Sequence, residues 1–277
     1  MDGKTAQRLV ELNKEFYACY GEQFSKTRQG NWPGWLKFAD LIEEQGMMRF
    51  GEGEALRVLD AACGNLRFER FLSQRFCESP IEVLALDASD TMPRLSAGQG
   101  VKVEYRVWDL IAPLLGESGG IARFDMKTGE KRVSEPIAQG AFDLAVSFGF
   151  LHHVPGFERR VSFLSDLVRA VVPHGMCAVS LWRFMDSPSL AQKALESHRR
   201  ALSGGLKWLQ EADLEQGDWI LGWQGDPGAC RYCHHFCDQE IDELIMSVRA
   251  QTGVDQVLRY RDDGRAPGLN EYLVFVR

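Results

Sequence analysis

The eleven residues from Val58 to Phe68, VLDAACGNLRF, narrow the possible folds of this chain more than any other stretch. An apolar run, Leu56, Val58 and Leu59, ends at Asp60, and Ala61, Ala62, Cys63 and Gly64 make a tight turn. Leu66, Phe68, Phe71 and Leu72 then recur at helical spacing. Strand, small-residue turn and helix in that order bring backbone N–H groups and a helix N-terminus up to a ligand. A second apolar strand, IEVLALD, ends at Asp87, about 27 residues beyond Asp60, near the offset at which nucleotide-type folds place an acid for a ribose hydroxyl pair. One glycine in a turn is a weak signal by itself, and an ordinary βα crossover gives the same pattern.

The order of the later pieces is more specific. VKVEYRVWDL puts Asp109 after a third strand, AFDLAVSFGFLHHV is a fourth strand running into two histidines, and VRAVVPHGMCAVSLW is a helix, a Pro–His–Gly turn and a fifth strand. Acid, acid, Asp–Leu, FDLAVS and a P-x-G turn in that succession resemble the class I S-adenosylmethionine-dependent methyltransferases over residues 55–185. The resemblance implies an α/β, Rossmann-like sheet of seven strands, mostly parallel with an antiparallel last strand, and S-adenosylmethionine as cofactor.

Composition sets the outer limits. The chain has 277 residues, 45% hydrophobic and 26% charged, ordinary for a soluble domain with a sizeable core. The sequence has no run of 18 or more apolar residues and opens on the polar, amphipathic MDGKTAQRLVELNKEF, so neither secretion nor membrane insertion is expected. Seven cysteines at irregular spacing suit a reducing cytoplasm better than a disulfide framework. A net charge of −7 disfavours a broad basic face for nucleic acid but allows local patches, such as Arg199, Arg200 and Lys207, or Arg259, Arg261 and Arg265. Each patch can equally be a solvated surface.

The whole chain, 1–277, is expected to form one domain. Residues 1–50 carry two helical stripes, Leu9, Val10, Leu12, Phe16, Tyr17 and Tyr20, then Leu36, Phe38, Leu41 and Ile42, and are expected to lie as a lid over the open cofactor edge. The core spans 55–185, with strands near 57–61, 81–87, 101–108, 142–148 and 176–184 and helices near 65–76, 89–96 and 157–172. The long connection 111–140 contains a hairpin turning at Thr128–Gly129. Residues 186–236 form a second, substrate-side insertion, helical over Leu190 to Leu202 and then rich in Gly and Trp. Residues 237–277 close the sheet with a helix at 238–250 and strands at 254–261 and 271–276.

On the cofactor side the resemblance implies Asp60, Ala62, Cys63, Gly64, Asp87, Ala88, Asp109, Leu110 and Phe148. Asp60 orders the turn, Asp87 accepts from the ribose hydroxyls, and Asp109 with Leu110 meets the adenine. Strand-end acids can instead cap helices. Many methyltransferases carry three glycines in the first turn, whereas the outer two positions here are Ala62 and Leu66. Leu66 must therefore point into the helix–sheet packing. His152 and His153 follow the fourth strand, where an imidazole could act as base on a hydroxyl or amine acceptor, or simply cap and pack. Arg159 and Arg160 suit an anionic substrate. The cysteines and histidines of CRYCHHFC, Cys230 to Cys237, crowd into too short a segment to enclose a tetrahedral ion, and no metal site is expected.

Stretches outside the cofactor core sharpen the resemblance. FSKTRQGNWP, LHHVPGFERRVSFLSDLVRAVVPHG, DWILGW and RYCHHF resemble the signatures of the tRNA wobble-uridine carboxymethyl methyltransferases, which esterify 5-carboxymethyluridine in the anticodon. This implies Arg28, His153 and Arg160 as the catalytic group, with His152, Arg231 and His235 lining the acceptor side. Under that reading Arg28 and Arg160 position the carboxylate and the histidines orient it. The eukaryotic family works with a small zinc-containing activator, so a small activator subunit is a possible partner beside tRNA. The acidic charge keeps a small-molecule acceptor, methylated with a histidine base, open as the alternative.

Overall fold

The computed structural model describes residues 1–27, 29–47, 54–89, 97–116, 122–124, 131–133, 137–263 and 268–277. In chain order the elements are α1 (Gly3–Lys26), α2 (Pro33–Glu44), β1 (Leu56–Ala61), α3 (Arg67–Arg75), β2 (Ile81–Asp87), β3 (Val101–Val107), β4 (Ala122–Phe124) and β5 (Lys131–Val133). They continue with β6 (Phe142–Ser147), α4 (Phe157–Ala170), β7 (Val171–Trp182), α5 (Pro188–Arg200), β8 (Asp218–Trp223), β9 (Asp226–His234), α6 (Asp238–Thr252), β10 (Gln256–Asp262) and β11 (Asn270–Val276).

Seven strands form one sheet in the order β10-β11-β7-β6-β1-β2-β3. Strands β3, β2, β1, β6 and β7 run parallel, and β11 is antiparallel to both β7 and β10. The architecture is the seven-stranded one expected from the order of strand-end acids. Alternate residues of β1 serve opposite faces, as a sheet covered on both sides requires. Leu59 and Ala61 join the core beneath α4 and α6. Leu56 and Val58 join the core that includes Trp35, Phe38, Phe68 and Phe71 of α2 and α3.

Two details differ from the sequence reading. The Pro173–His174–Gly175 turn interrupts β7 from within: Val171 pairs with Phe142 before it, and Met176 with Leu144 after it. The insertion after β7 also holds a hairpin, β8 with β9, which the Gly- and Trp-rich composition hid. The pairing of β4 with β5 supplies the hairpin expected in the long connection. Its Thr128–Gly129 turn lies outside the described residues, as does most of the helix expected at 89–96. No helix among the described residues is long and apolar enough to cross a membrane.

Helix α1 roofs the cavity at the C-terminal ends of β1, β2 and β6. Asp2 caps it by accepting from the N–H groups of Lys4 and Thr5 at 2.8 and 3.0 Å, and its apolar stripe, with Leu9, Val10 and Phe16, is buried. Asn13 is the polar member of that buried face. Its side chain accepts from the Tyr232 N–H at 2.7 Å and donates to the Tyr232 carbonyl at 3.2 Å, fastening α1 to β9.

Candidate functional site

A cavity of about 540 Å³ opens at the C-terminal ends of β1, β2 and β6. Strand order reverses here, since β1 has β2 on one side and β6 on the other, and crevices of open α/β sheets form at such a point. One end is the turn after β1. Ala62 and Cys63 donate to the Leu86 carbonyl at 2.8 and 3.0 Å, which ties the turn to the end of β2. Gly64 donates to Asp87 Oδ2 and Ser89 to Asp87 Oδ1, each at 2.9 Å. Asp87 lines the cavity at the end of β2, where a carboxylate can accept from a pair of hydroxyls.

Ala62, Gly64 and Leu66 have φ of 70°, 55° and 64°. The three alternate turn positions thus share the left-handed backbone that glycine adopts without steric cost, although only one is glycine. The Leu66 side chain is buried with the α2–α3 core and leaves the ligand face of the turn to backbone. Asp60, at the head of the turn, is buried. Burial first, and the neighbouring Glu69 carboxyl second, push its pKa well above the usual range. Fully buried Glu69 is pushed up to about 7 by burial.

Asp109 Oδ1 accepts from the N–H groups of Ile111 and Ala112 at 2.9 and 3.1 Å, and Oδ2 pairs with Lys14 of α1 at 2.6 Å. It therefore caps the short helix Ala112–Leu115 as well as facing the cavity. Ala62, Cys63, Ala88, Leu110 and Phe148 line the same end. The donor set fits a nucleoside that carries an amino-acid arm: Asp87 for a diol, Asp109 near a base, and backbone approach at Gly64.

The other end of the cavity lies under α1. His152 and His153 stand in a short 3-10 helix, Leu151–His153, directly after β6. His153 Nε2 lies 2.9 Å from the Tyr17 hydroxyl and Nδ1 3.0 Å from the Tyr232 carbonyl. Arg231 reaches in from β9 and is 6% exposed. Its guanidinium lies 4.9 Å from the Phe16 ring and 5.6 Å from the Phe24 ring. Its Nη1 is buried with no hydrogen-bond partner. The cavity thus contains a buried cation that no carboxylate of the described residues neutralises.

Two residues expected on the acceptor side lie elsewhere. Arg160 is 1% exposed and is absent from the cavity wall. Its Nη2 pairs with Glu240 at 2.9 Å and its Nη1 donates to the Val154 carbonyl at 3.1 Å. His234 continues that network, 2.6 Å from Glu240 and 2.7 Å from Asp218. His235 lies outside the wall as well. It accepts from the Met185 N–H at 3.3 Å, and burial lowers its pKa to about 4. Arg28 falls outside the described residues. In β9, period-2 alternation sends the side chains of Arg231, Tyr232, Cys233 and His234 to alternate faces, which sets Cys233 and His234 apart. A different trio, His152, His153 and Cys233, brings its ligand atoms within 4.8 Å of one another, but His153 Nδ1 already faces the Tyr232 carbonyl.

Several wall residues escaped the sequence reading: Asn13, Lys14, Trp32, Trp35 and Arg67. Asn13 carried a signal, a polar residue inside the apolar stripe of α1. Arg67 carried none.

Comparison with known proteins agrees with the geometry. Residues 59–179 match the family model described as a methyltransferase domain. A curated tRNA (carboxymethyluridine(34)-5-O)-methyltransferase from Arabidopsis thaliana is 23% identical over 176 residues, 62% of this chain. The match spans only about a third of that relative's length, 34%. Among solved structures, a 1,6-didemethyltoxoflavin N1-methyltransferase from Burkholderia thailandensis, with its substrate and S-adenosylhomocysteine bound, superposes with a TM-score of 0.51 at 14% identity. That match covers 98% of this chain and 90% of the other. An S-adenosylmethionine-dependent methyltransferase from Methanosarcina mazei gives 0.50 at 14% identity, covering 81% and 93%. The fold is that of the class I methyltransferases.

Proposed function

We propose that this chain transfers the methyl group of S-adenosylmethionine to a carboxylate, and that the carboxylate belongs to a modified wobble uridine of tRNA. The observation that carries the reading is Arg231, a buried guanidinium at the acceptor end of the cavity with aromatic faces beside it and no anion of its own. An unpaired buried cation is costly, and an anionic acceptor removes that cost. The relative in Arabidopsis thaliana, whose name specifies a carboxymethyluridine, supports the tRNA setting.

The cofactor, when bound, supplies an electrophilic methyl on a sulfonium. A carboxylate is already ionised at neutral pH, so the protein's task is alignment rather than deprotonation. Arg231 holds the carboxylate, while Tyr17 and His153 fix the wall beside it. Helix α1 and the indoles of Trp32 and Trp35 exclude water. Asp87 orients the ribose and the backbone at Gly64 receives the amino-acid arm.

The test uses methyl-tritiated cofactor and extract from a host lacking this gene, fractionated into RNA, protein and small molecules. The expected result is label in RNA that mild base releases as volatile methanol. Base-stable label in any pool overturns the ester. Base-labile label confined to small molecules keeps the ester and overturns tRNA, an outcome the net charge of −7 and the aromatic wall of the cavity would suit.

A further inference from the structure

Asn270, at the start of β11, pairs with Trp182, at the end of β7. Directly opposed residues of an antiparallel ladder project from the same face of the sheet, and both side chains line the cavity. The Trp182 ring lies 5.2 Å from the ring of His152, which lies 4.1 Å from that of His153, so this wall continues the acceptor end. An indole and an amide thus stand side by side, and a flat heterocycle that stacks on the first presents its edge to the second.

Asp263 fixes which way that amide points. The residue is 3% exposed, and its carboxylate accepts from three donors: the Gly34 N–H at 2.8 Å, Asn270 Nδ2 at 3.0 Å and the Tyr272 hydroxyl. Tyr272 stacks on Tyr260 with ring centroids 4.9 Å apart, and the Tyr260 hydroxyl donates to the Gly34 carbonyl at 2.8 Å. This clamp holds Asp263 at φ 76°, a left-handed backbone uncommon outside glycine. A carboxylate offers lone pairs only, so the Asn270 amide nitrogen must face it and the amide oxygen must face away. Among the described residues, the bond to Asp263 is the one hydrogen bond of the Asn270 side chain. One N–H and the Oδ1 acceptor remain, on a residue that is 8% exposed and part of the cavity wall.

We infer that Asn270 reads the imide edge of a uracil ring, with Asp263 as its positioning residue and Trp182 as the surface the ring stacks on; this rests on the tRNA reading. Uracil presents an N–H donor between two carbonyl acceptors. The open half of the Asn270 amide, an acceptor beside a donor, matches that N–H and one carbonyl. Cytosine presents a bare ring nitrogen beside an amino group, the reverse order. A freely turning asparagine takes either ring by rotating its amide through half a turn. Asp263 forbids the rotation, because the turned amide sets its oxygen against the carboxylate. Arg231 then selects the carboxylate of the acceptor, and Asn270 the ring that carries it.

The test uses the full chain and two anticodon-arm RNA hairpins of one sequence, with 5-carboxymethyluridine or 5-carboxymethylcytidine at the wobble position. Wild type is expected to favour the uridine hairpin by about 10- to 100-fold in kcat/KM, the range for one bidentate amide–base pair. In Asn270→Leu the preference should fall below about threefold, through loss on the uridine hairpin alone. Asp263→Asn, which lets the Asn270 amide turn, should narrow the preference by raising turnover of the cytidine hairpin. No loss of packing produces such a gain, and this variant serves alone if Asn270→Leu does not fold. Equal use of both hairpins by wild type overturns the inference, as do variants that keep the preference or lose both hairpins equally. Wild type that binds S-adenosylhomocysteine in calorimetry but methylates neither hairpin sinks the tRNA reading, and the inference with it.

Discussion

The phenol of Tyr17 and Nε2 of His153 meet at 2.9 Å, joining the roof helix to the turn after β6. With His153 Nδ1 at 3.0 Å from the Tyr232 carbonyl, one tautomer satisfies both contacts: Nδ1–H donates to the carbonyl and Nε2 accepts from the phenol. The imidazole is a strut between α1, β6 and β9, and its basic nitrogen faces a protein hydroxyl.

The kinetic expectation is therefore a pH profile of kcat/KM without a limb near 6.5, the ordinary imidazole range. Removing a true general base costs about 100-fold or more, whereas His153→Asn and Tyr17→Phe are each expected to cost about tenfold or less. A limb near pH 6.5 that disappears in His153→Asn restores the base mechanism and, with it, a hydroxyl or amine acceptor.

Arg160 is expected to act on stability. Its guanidinium pairs with Glu240 at 2.9 Å and lies 3.5 Å from Glu215, and breaking one partner of a buried pair costs about 3–5 kcal/mol. Arg160→Ala should lose that much in denaturant melts, while the acceptor KM of the folded variant stays within about twofold. A raised KM with an unchanged melt puts the guanidinium on substrate after all.

The first turn gives two predictions of opposite sign. Ala62 at φ 70° has an unfavourable left-handed backbone, so Ala62→Gly is expected to be neutral or stabilising by up to about 1 kcal/mol. Leu66→Ala keeps the positive φ and empties a packed site, a loss of about 2–5 kcal/mol. Destabilisation by Ala62→Gly as large as that by Leu66→Ala would mean that the turn relies on the Ala62 methyl.

Glu69 makes folding stability depend on pH in a direction set by its raised pKa. In the folded chain the carboxyl stays protonated up to about 7, while in the unfolded chain it ionises near 4.3. Its contribution is complete below the unfolded value, declines as pH rises between the two, and is level above the folded one. Asp60 shifts in the same direction, through burial and then Glu69. Glu69→Gln removes the slope, so its advantage over wild type should grow from pH 4.5 to pH 8, reaching at most about 3 kcal/mol. A constant difference across that range shows that Glu69 ionises normally.

Much of the cofactor end could be read from the sequence because its signal is local: an acid ending an apolar strand, a turn of small residues, a helical stripe. The bounds of β1, β2 and β6 follow from composition for that reason. Arg160 was misplaced because Glu240, the group that occupies it, is 80 residues away and nothing in HH-x(5)-RR records that pairing. Arg231 presents the converse difficulty. What distinguishes it is the lack of an acidic partner in space, and no single sequence encodes an absence. The β8–β9 hairpin was missed since Gly and Trp mark turns and cores alike, and only its pairing decides between them.

The amide of Asn13 and the backbone of Tyr232, which together seal the roof of the cavity, stand 219 residues apart. Strand β11, last of the sheet strands to be made, sits between β7 and β10. During vectorial synthesis α1 leaves the ribosome with its apolar stripe, and the backbone that holds its Asn13 arrives only with β9. The sheet stays open on one side for about as long. Such sequence-distant closures are slow and leave sticky surface exposed meanwhile. The roof of the cavity therefore cannot be fastened until β9 is made, and a nascent chain stalled before it would be a chaperone client with an unsealed cavity.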